Sequence, residues 1–228
     1  MFAPEGPQGV PDPPNDSPSQ PATDPQPPPA MSVLVGKEAP TFKAQAVNSD
    51  GSFSELSLES YRGKYVVLFF YPLDFTFVCP SEIIAFDNHL AEFKERGAEV
   101  IGVSVDSHFS HWAWRNTAVE NGGIGPIGYP LVADITKSIA RDYDVLLNDS
   151  VAFRGLFLID KEGKVRHQIV NDLPLGRNVE EAIRMVDALA FHEEHGEVCP
   201  ANWAKGKEGM KPSADGVAEY LGKNAKGL

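Results

Sequence analysis

Tyr65-Val-Val-Leu-Phe-Phe-Tyr71, continued over 72–82 by Pro-Leu-Asp-Phe-Thr-Phe-Val-Cys-Pro-Ser-Glu, decides the fold of this chain. Seven successive large apolar or aromatic residues read as a buried strand. From Pro80 onward the period changes: Ile83, Ile84, Phe86, Leu90 and Phe93 supply one apolar face and predict a helix over about 80–94. Cys79 therefore stands at a strand-to-helix junction. There it meets unpaired backbone N–H groups and the positive end of a helix dipole, which favour thiolate over thiol.

Working outward, Glu99-Val-Ile-Gly-Val-Ser-Val105 predicts a second buried strand. A helix near 109–119 follows, containing Trp112 and Trp114, and then a Gly-rich loop, Asn121-Gly-Gly-Ile-Gly-Pro126. Leu131-Val-Ala133 predicts a short strand and 136–143 a short helix. Two β-rich runs, 153–159 and 165–170, are joined by Asp160-Lys-Glu-Gly163, which reads as a hairpin turn. The last long helix is expected over 179–194, with Ile183, Val186, Leu189 and Ala190 at helical intervals. Early βαβ units with a late hairpin and helix give an α/β fold with a mixed central sheet flanked by helices.

Composition bounds what such a domain can do. The chain has 228 residues, and its first thirty hold 11 of the 19 prolines, four acids (Glu5, Asp12, Asp16 and Asp24) and no lysine or arginine. That tail, 1–30, is expected to be disordered, because it has too few apolar side chains to offset ordering entropy. It also lacks the basic start and apolar stretch of a secretory signal. Met31 opens an ordinary globular pattern, and 31–228 is large enough to bury a core without staples. The net charge of −12 falls to −8 without the four acids of the tail, which argues against nucleic acid or an anionic membrane surface as partner. No apolar run approaches the roughly 18 residues of a membrane span. Cysteine is used twice only, at Cys79 and Cys199, and both are followed by proline. With no export signal, the expected compartment is the reducing cytoplasm, where paired thiols are more often catalytic or redox-sensing than structural.

Phe70-Tyr-Pro-Leu-Asp-Phe-Thr-Phe-Val-Cys-Pro-Ser-Glu82 resembles the active-site signature of the peroxiredoxins, and Gly196-Glu-Val-Cys-Pro-Ala-Asn-Trp203 resembles the second-cysteine segment of their typical two-cysteine subfamily. Val151-Ala-Phe-Arg-Gly-Leu-Phe-Leu-Ile-Asp160 and Asn171-Asp-Leu-Pro-Leu-Gly-Arg177 match the same subfamily. Four matches in order, spanning about 33–220, are far more specific than one short motif. The resemblance implies a thioredoxin-like peroxidase domain over 31–195, with a C-terminal extension over 196–228 carrying the second cysteine.

Cleaving a peroxide O–O bond needs an in-line thiolate and donors for the charge that grows on the leaving oxygen. Cys79 supplies the sulfur. The Thr76 hydroxyl can accept from the peroxide and place it, and Pro72, lacking an N–H, shields the oxidised sulfur without competing as a donor. The resemblance further implies that Arg154 supports the thiolate and holds the peroxide oxygens, with Glu82 and Arg177 orienting it. It implies that Cys199 resolves the Cys79 sulfenic acid by forming an intersubunit disulfide. Thioredoxin or a flavoprotein disulfide reductase would then reduce that disulfide. A homodimer, and a ring of five dimers, are implied with it.

Other readings weigh less. A redox-switched chaperone or peroxide-signalling scaffold is the non-enzymatic alternative. A disulfide reductase would need a second cysteine in Cys79-Pro-Ser-Glu82, and a cysteine hydrolase would need a histidine base. His192 and His195 lie one helical turn apart but have no third ligand for a metal, so they read as a solvated helix end. His108 and His111 read as solvent-facing residues beside an N-cap. The glycines of 122–125 lack the following Lys-Ser/Thr of a phosphate loop and read as a turn. No cofactor is called for. Over-oxidation-prone relatives carry Gly-Gly-Leu-Gly and Tyr-Phe where this chain has Gly122-Gly-Ile-Gly125 and Tyr220-Leu221, so an intermediate sensitivity is expected.

Overall fold

A computed structural model describes residues 33–228; the tail expected over 1–30 lies outside the described residues. Strand β3 (Tyr65–Phe70) is the predicted buried strand, and all six of its residues are buried. Its side chains alternate between two cores, as the period of a pleated strand requires. Tyr65, Val67 and Phe69 face Ile83 and Phe86 of α1 (Cys79–Asn88), Leu90 and Phe93 of α2 (Leu90–Glu95), and Ile183, Val186 and Leu189 of α5 (Val179–His195). Val66, Leu68 and Phe70 face Leu34, Ala39 and Leu58, together with Ile139 and Ala140 of the short helix Ser138–Asp142. Burial on both faces is why the strand reads as an unbroken apolar run. Each fully buried Phe or Leu contributes about 2 kcal/mol.

The remaining strands are β1 (Lys43–Val47), β2 (Phe53–Ser57), β4 (Ala98–Ser104), β5 (Leu131–Ala133), β6 (Leu146–Leu147), β7 (Val151–Ala152), β8 (Arg154–Ile159) and β9 (Val165–Asn171). Six of them join β3 in one seven-stranded sheet in the order β2-β1-β5-β4-β3-β8-β9, and β6 and β7 pair separately. β4 lies parallel to both β3 and β5, whereas β8 runs antiparallel to β3, so the sheet is mixed as expected. The turn at 160–163 joins β8 to β9 in the predicted hairpin.

Three elements depart from expectation. The single helix expected over 80–94 is two, broken at His89 (φ −99°, ψ 7°). The His89 amide still bonds the Ala85 carbonyl, but the Glu92 and Phe93 amides start a new set of bonds from the His89 carbonyl. The hairpin β1–β2 was not anticipated, although Asn48-Ser-Asp-Gly51 between its strands is turn sequence and Gly51 sits at φ 83°. Beyond Cys199, in the extension over 196–228 for which no helix was laid out above, α6 (Ala214–Asn224) runs for three turns. The Ser213 side chain caps it at the Gly216 amide, and Lys223 pairs with Glu219 one turn back. These local polar supports are invisible to a count of apolar residues.

Candidate active site

Cys79 is the first residue of α1 and only 1% exposed. The loop that delivers it leaves the carboxyl end of β3 and is pinned from below by buried polar groups. The Tyr71 hydroxyl donates to Asp74 Oδ1 (2.9 Å), the His111 ring meets Asp74 Oδ2 through Nδ1 (2.8 Å), and the Asp74 amide donates to Asp106 Oδ2 (2.9 Å). Burial holds the Tyr71 phenol far above its usual range and raises the Asp106 carboxyl, with neighbouring Asp74 adding to both. His111 is therefore not solvent-facing as expected. It sits fully buried on the inner stripe of α3 (His108–Arg115), and its spacing from Trp114 and Arg115 was the available signal. His108 is half-buried rather than solvent-facing, its ring against Phe53 and Phe109, and Ser107 makes the N-cap expected beside it.

Above this support the loop turns tightly, with Phe75 in the left-handed region at φ 53°. The Thr76 hydroxyl donates its proton to the Leu73 carbonyl (2.8 Å), which leaves its lone pairs free to accept. Pro72 is buried immediately after Tyr71 and brings no N–H to the site.

Arg154 opens β8 on the same face as Leu156 and Leu158, because successive even positions of a strand share a face. That face is the one carrying α1. Arg154 Nη1 lies 3.5 Å from Cys79 Sγ and donates to Glu82 Oε2 at 2.6 Å, and its Nε donates to the Leu173 carbonyl. Glu82, one turn into α1 and 3% exposed, also accepts from the Arg177 amide (2.8 Å), Nε (2.8 Å) and Nη2 (3.0 Å). Arg177 Nη1 donates to the Phe70 and Gly155 carbonyls, and its guanidinium lies over the Phe69 ring. Burial presses the Arg177 pKa down while Glu82 opposes that shift. Two guanidiniums and one carboxylate leave a net positive charge buried beside the Cys79 sulfur. Cys79, Arg154, Glu82 and Arg177 are thus brought into one cluster.

Cys199 is elsewhere. Its Sγ donates to the Ala188 carbonyl on α5 (3.4 Å), and burial raises its thiol pKa, opposed by the charge of Arg184. The cluster around Cys79 meets α5 at its start, whereas Ala188 is nine residues in, roughly 14 Å farther along the helix. Both thiols are free in the single chain. His192 and His195 lie exposed in the last turn of α5 and bond the Glu197 and Phe191 carbonyls. Among the described residues one carboxylate group, Asp160, Glu162 and Glu193, gathers its oxygens within 4.8 Å. Asp160 already accepts from the Glu162 and Lys164 amides and Arg166, and Glu193 from the Tyr65 hydroxyl. No helix among the described residues is long and apolar enough to cross a membrane.

Comparison with known proteins agrees with this geometry. The model of the AhpC/TSA family matches residues 35–168, and that of the C-terminal domain of 1-Cys peroxiredoxin matches 188–223, the segment that here carries Cys199. The chain is 60% identical to alkyl hydroperoxide reductase C of Helicobacter pylori over 195 residues, covering 85% of this chain and 98% of that one. It is 57% identical to peroxiredoxin-2 of Mus musculus over 191 residues, covering 83% and 96%. Among solved structures, reduced 2-Cys peroxiredoxin of Plasmodium vivax superposes with a TM-score of 0.83 at 57% identity, covering 84% of this chain and all of that one. The fold is thioredoxin-like, as the resemblance implied. With a matched sheet, a matched cysteine helix and relatives aligned over nearly their whole lengths, the chain belongs to the AhpC/TSA family of peroxiredoxins.

Proposed function

We propose that this peroxidase works through Cys79 as the attacking thiolate and Cys199 as the resolving thiol. The observation that carries the reading is the 3.5 Å contact between Cys79 Sγ and Arg154 Nη1, with Arg154 fixed in turn by Glu82. The thiolate attacks one oxygen of hydrogen peroxide or an organic hydroperoxide, the O–O bond breaks, and Cys79 becomes a sulfenic acid. The departing oxygen leaves as water or alcohol once protonated. Arg154 is placed to stabilise the charge developing on the oxygens, and the Thr76 hydroxyl accepts from the peroxide. Pro72 shields the sulfur.

Cys199 of a second copy then condenses with the sulfenic acid, releasing water and forming a Cys79–Cys199 disulfide. The separation of the two thiols along α5 supports a bridge between chains rather than within one. A dithiol protein, thioredoxin or a flavoprotein disulfide reductase, returns both cysteines to thiols by exchange. The working form is a homodimer, assembled further into a ring of five dimers, in the cytoplasm. The three-part division, with a tail over 1–30, a peroxidase domain over 31–195 and an extension over 196–228, belongs to the same proposal. Similarity to alkyl hydroperoxide reductase C and the peroxiredoxins favours the enzyme over the redox-switched chaperone or signalling scaffold.

Stopped-flow mixing with peroxide tests the first step. Wild-type protein is expected to consume one equivalent rapidly, and a Cys79→Ser variant that consumes it equally fast would overturn the assignment. A non-reducing gel tests the second, with a dimer band expected in peroxide-treated wild type and absent from Cys199→Ser.

A further inference from the structure

The segment around Cys199 is tied to itself as a small module and to the rest of the protein along one stripe of α5. Within the module, Val198 and Met210 exchange both backbone hydrogen bonds (2.9 Å each), the Trp203 amide closes a turn onto the Pro200 carbonyl, and the Trp203 indole N–H donates to the Lys207 carbonyl (3.1 Å). Against α5, Cys199 meets the Ala188 carbonyl, the Trp203 ring packs on Phe191 (4.9 Å between centroids), and the Glu197 carbonyl lies 2.8 Å from the His192 ring. Positions 184, 188, 191 and 192 follow helical spacing, so all of these contacts lie on one face. Only one of them comes from a guanidinium. Arg184 grips Glu181 with Nε and Nη2 (2.6 and 2.7 Å) and gives Nη1 to the Trp203 carbonyl at 2.8 Å.

We propose that Arg184 is a positioning residue for disulfide formation: held by Glu181, it latches the 197–211 module onto α5 through the Trp203 carbonyl and sets how often Cys199 is released. The proposal rests on Cys199 being the resolving thiol. In the docked state the sulfur is engaged with Ala188, about a helix half-length from the start of α5. Forming the S–S bond to the Cys79 sulfenic acid, with loss of one water, first requires that contact to break. Trp203, 3% exposed, is held to α5 by the Arg184 bond, a short charge-assisted link beside the longer and more exposed Lys205–Asp187 pair (3.7 Å). The latch thus sets the competition between disulfide formation and further oxidation of Cys79 to sulfinic acid, because a slowly released Cys199 leaves the sulfenic acid exposed to a second peroxide.

The test uses the full chain in stopped-flow with hydrogen peroxide, following Cys79 oxidation and disulfide formation as separate phases, with mass spectrometry of Cys79 sulfinic acid. Arg184→Gln is expected to leave the first phase at the wild-type rate, to speed the second about tenfold, and to cut sulfinic acid per turnover by a similar factor. Glu181→Gln, which frees the guanidinium without removing it, is expected to move both readouts the same way by about threefold, and serves if Arg184→Gln does not fold. Arg184→Lys, keeping charge without the fork, should restore part of the wild-type rate. A second phase unchanged in Arg184→Gln or Glu181→Gln, or one slowed together with the first, overturns the latch. A disulfide that persists in Cys199→Ser removes the resolving role on which the latch depends, and this outcome is distinguished by that control alone.

Discussion

Cys79 and Cys199 share a Cys-Pro dipeptide and little else. Cys79 is sealed in the main core at the N-terminus of a helix, with a guanidinium at 3.5 Å that is itself held by a buried carboxylate. Cys199 is partly exposed on the outside of α5, in contact with a carbonyl oxygen, and burial raises its thiol pKa. The first sulfur has a guanidinium beside it and the second a carbonyl oxygen. Under the proposed roles, surroundings alone divide one side-chain chemistry between two tasks, attack and resolution.

The contrast is broken most severely at the sulfurs. Cys79→Ser is expected to lower peroxide consumption by at least about a thousandfold, measured by stopped-flow, because the remaining thiol, Cys199, has no guanidinium hydrogen-bonded to its sulfur and burial raises its pKa. Cys199→Ser should leave the first oxidation intact and remove only the disulfide. Arg154→Gln comes next, with the rate of Cys79 oxidation expected to fall about a hundredfold or more, in line with loss of a preorganised charge donor. Glu82→Gln attacks the scaffold rather than the chemistry. It leaves two buried guanidiniums without their carboxylate, so thermal or denaturant unfolding should show a loss of about 3–5 kcal/mol.

The smallest expected effect sharpens the other half of the comparison. Because the docked Cys199 thiol has its pKa raised above the ordinary 9.0, docking favours the protonated form. Its contribution is fully present below about pH 9 and is lost as pH rises through the raised value. Protection factors of the 197–211 amides, corrected for base-catalysed intrinsic exchange, should therefore fall above pH 9 in wild type and stay flat in Cys199→Ser.

Much of the Cys79 half was legible in the sequence because regular periods carried it. The apolar run at 65–71 fixed the central strand, the change of period after Pro80 placed a helix behind the thiol, and alternation along 154–158 puts Arg154 on the α1 face. The family signature then joined segments that no local period connects. His111 was misread because a histidine beside a cap looks solvated, and its partners, Tyr71, Asp74 and the Val132 carbonyl, are what justify burying it. The break at His89 was hidden because Phe86, Leu90 and Phe93 stay in one core across it. The Cys199 module was the least readable part. It is held by a backbone pair, single polar contacts and the Trp203–Phe191 packing on α5, and the module's own residues leave no periodic trace.

The hydrogen bonds that assemble around Cys79 reach 72 residues from Glu82 to Arg154 and 95 from Glu82 to Arg177. Contacts this distant along the chain close late, because each must first overcome the entropy of a long loop. A nascent or partly unfolded chain therefore carries an ordinary cysteine at position 79, without the guanidinium beside it. On the role proposed for Arg154, peroxide reactivity is among the last properties the chain acquires as it matures, once the sheet, first helix and α5 have come together.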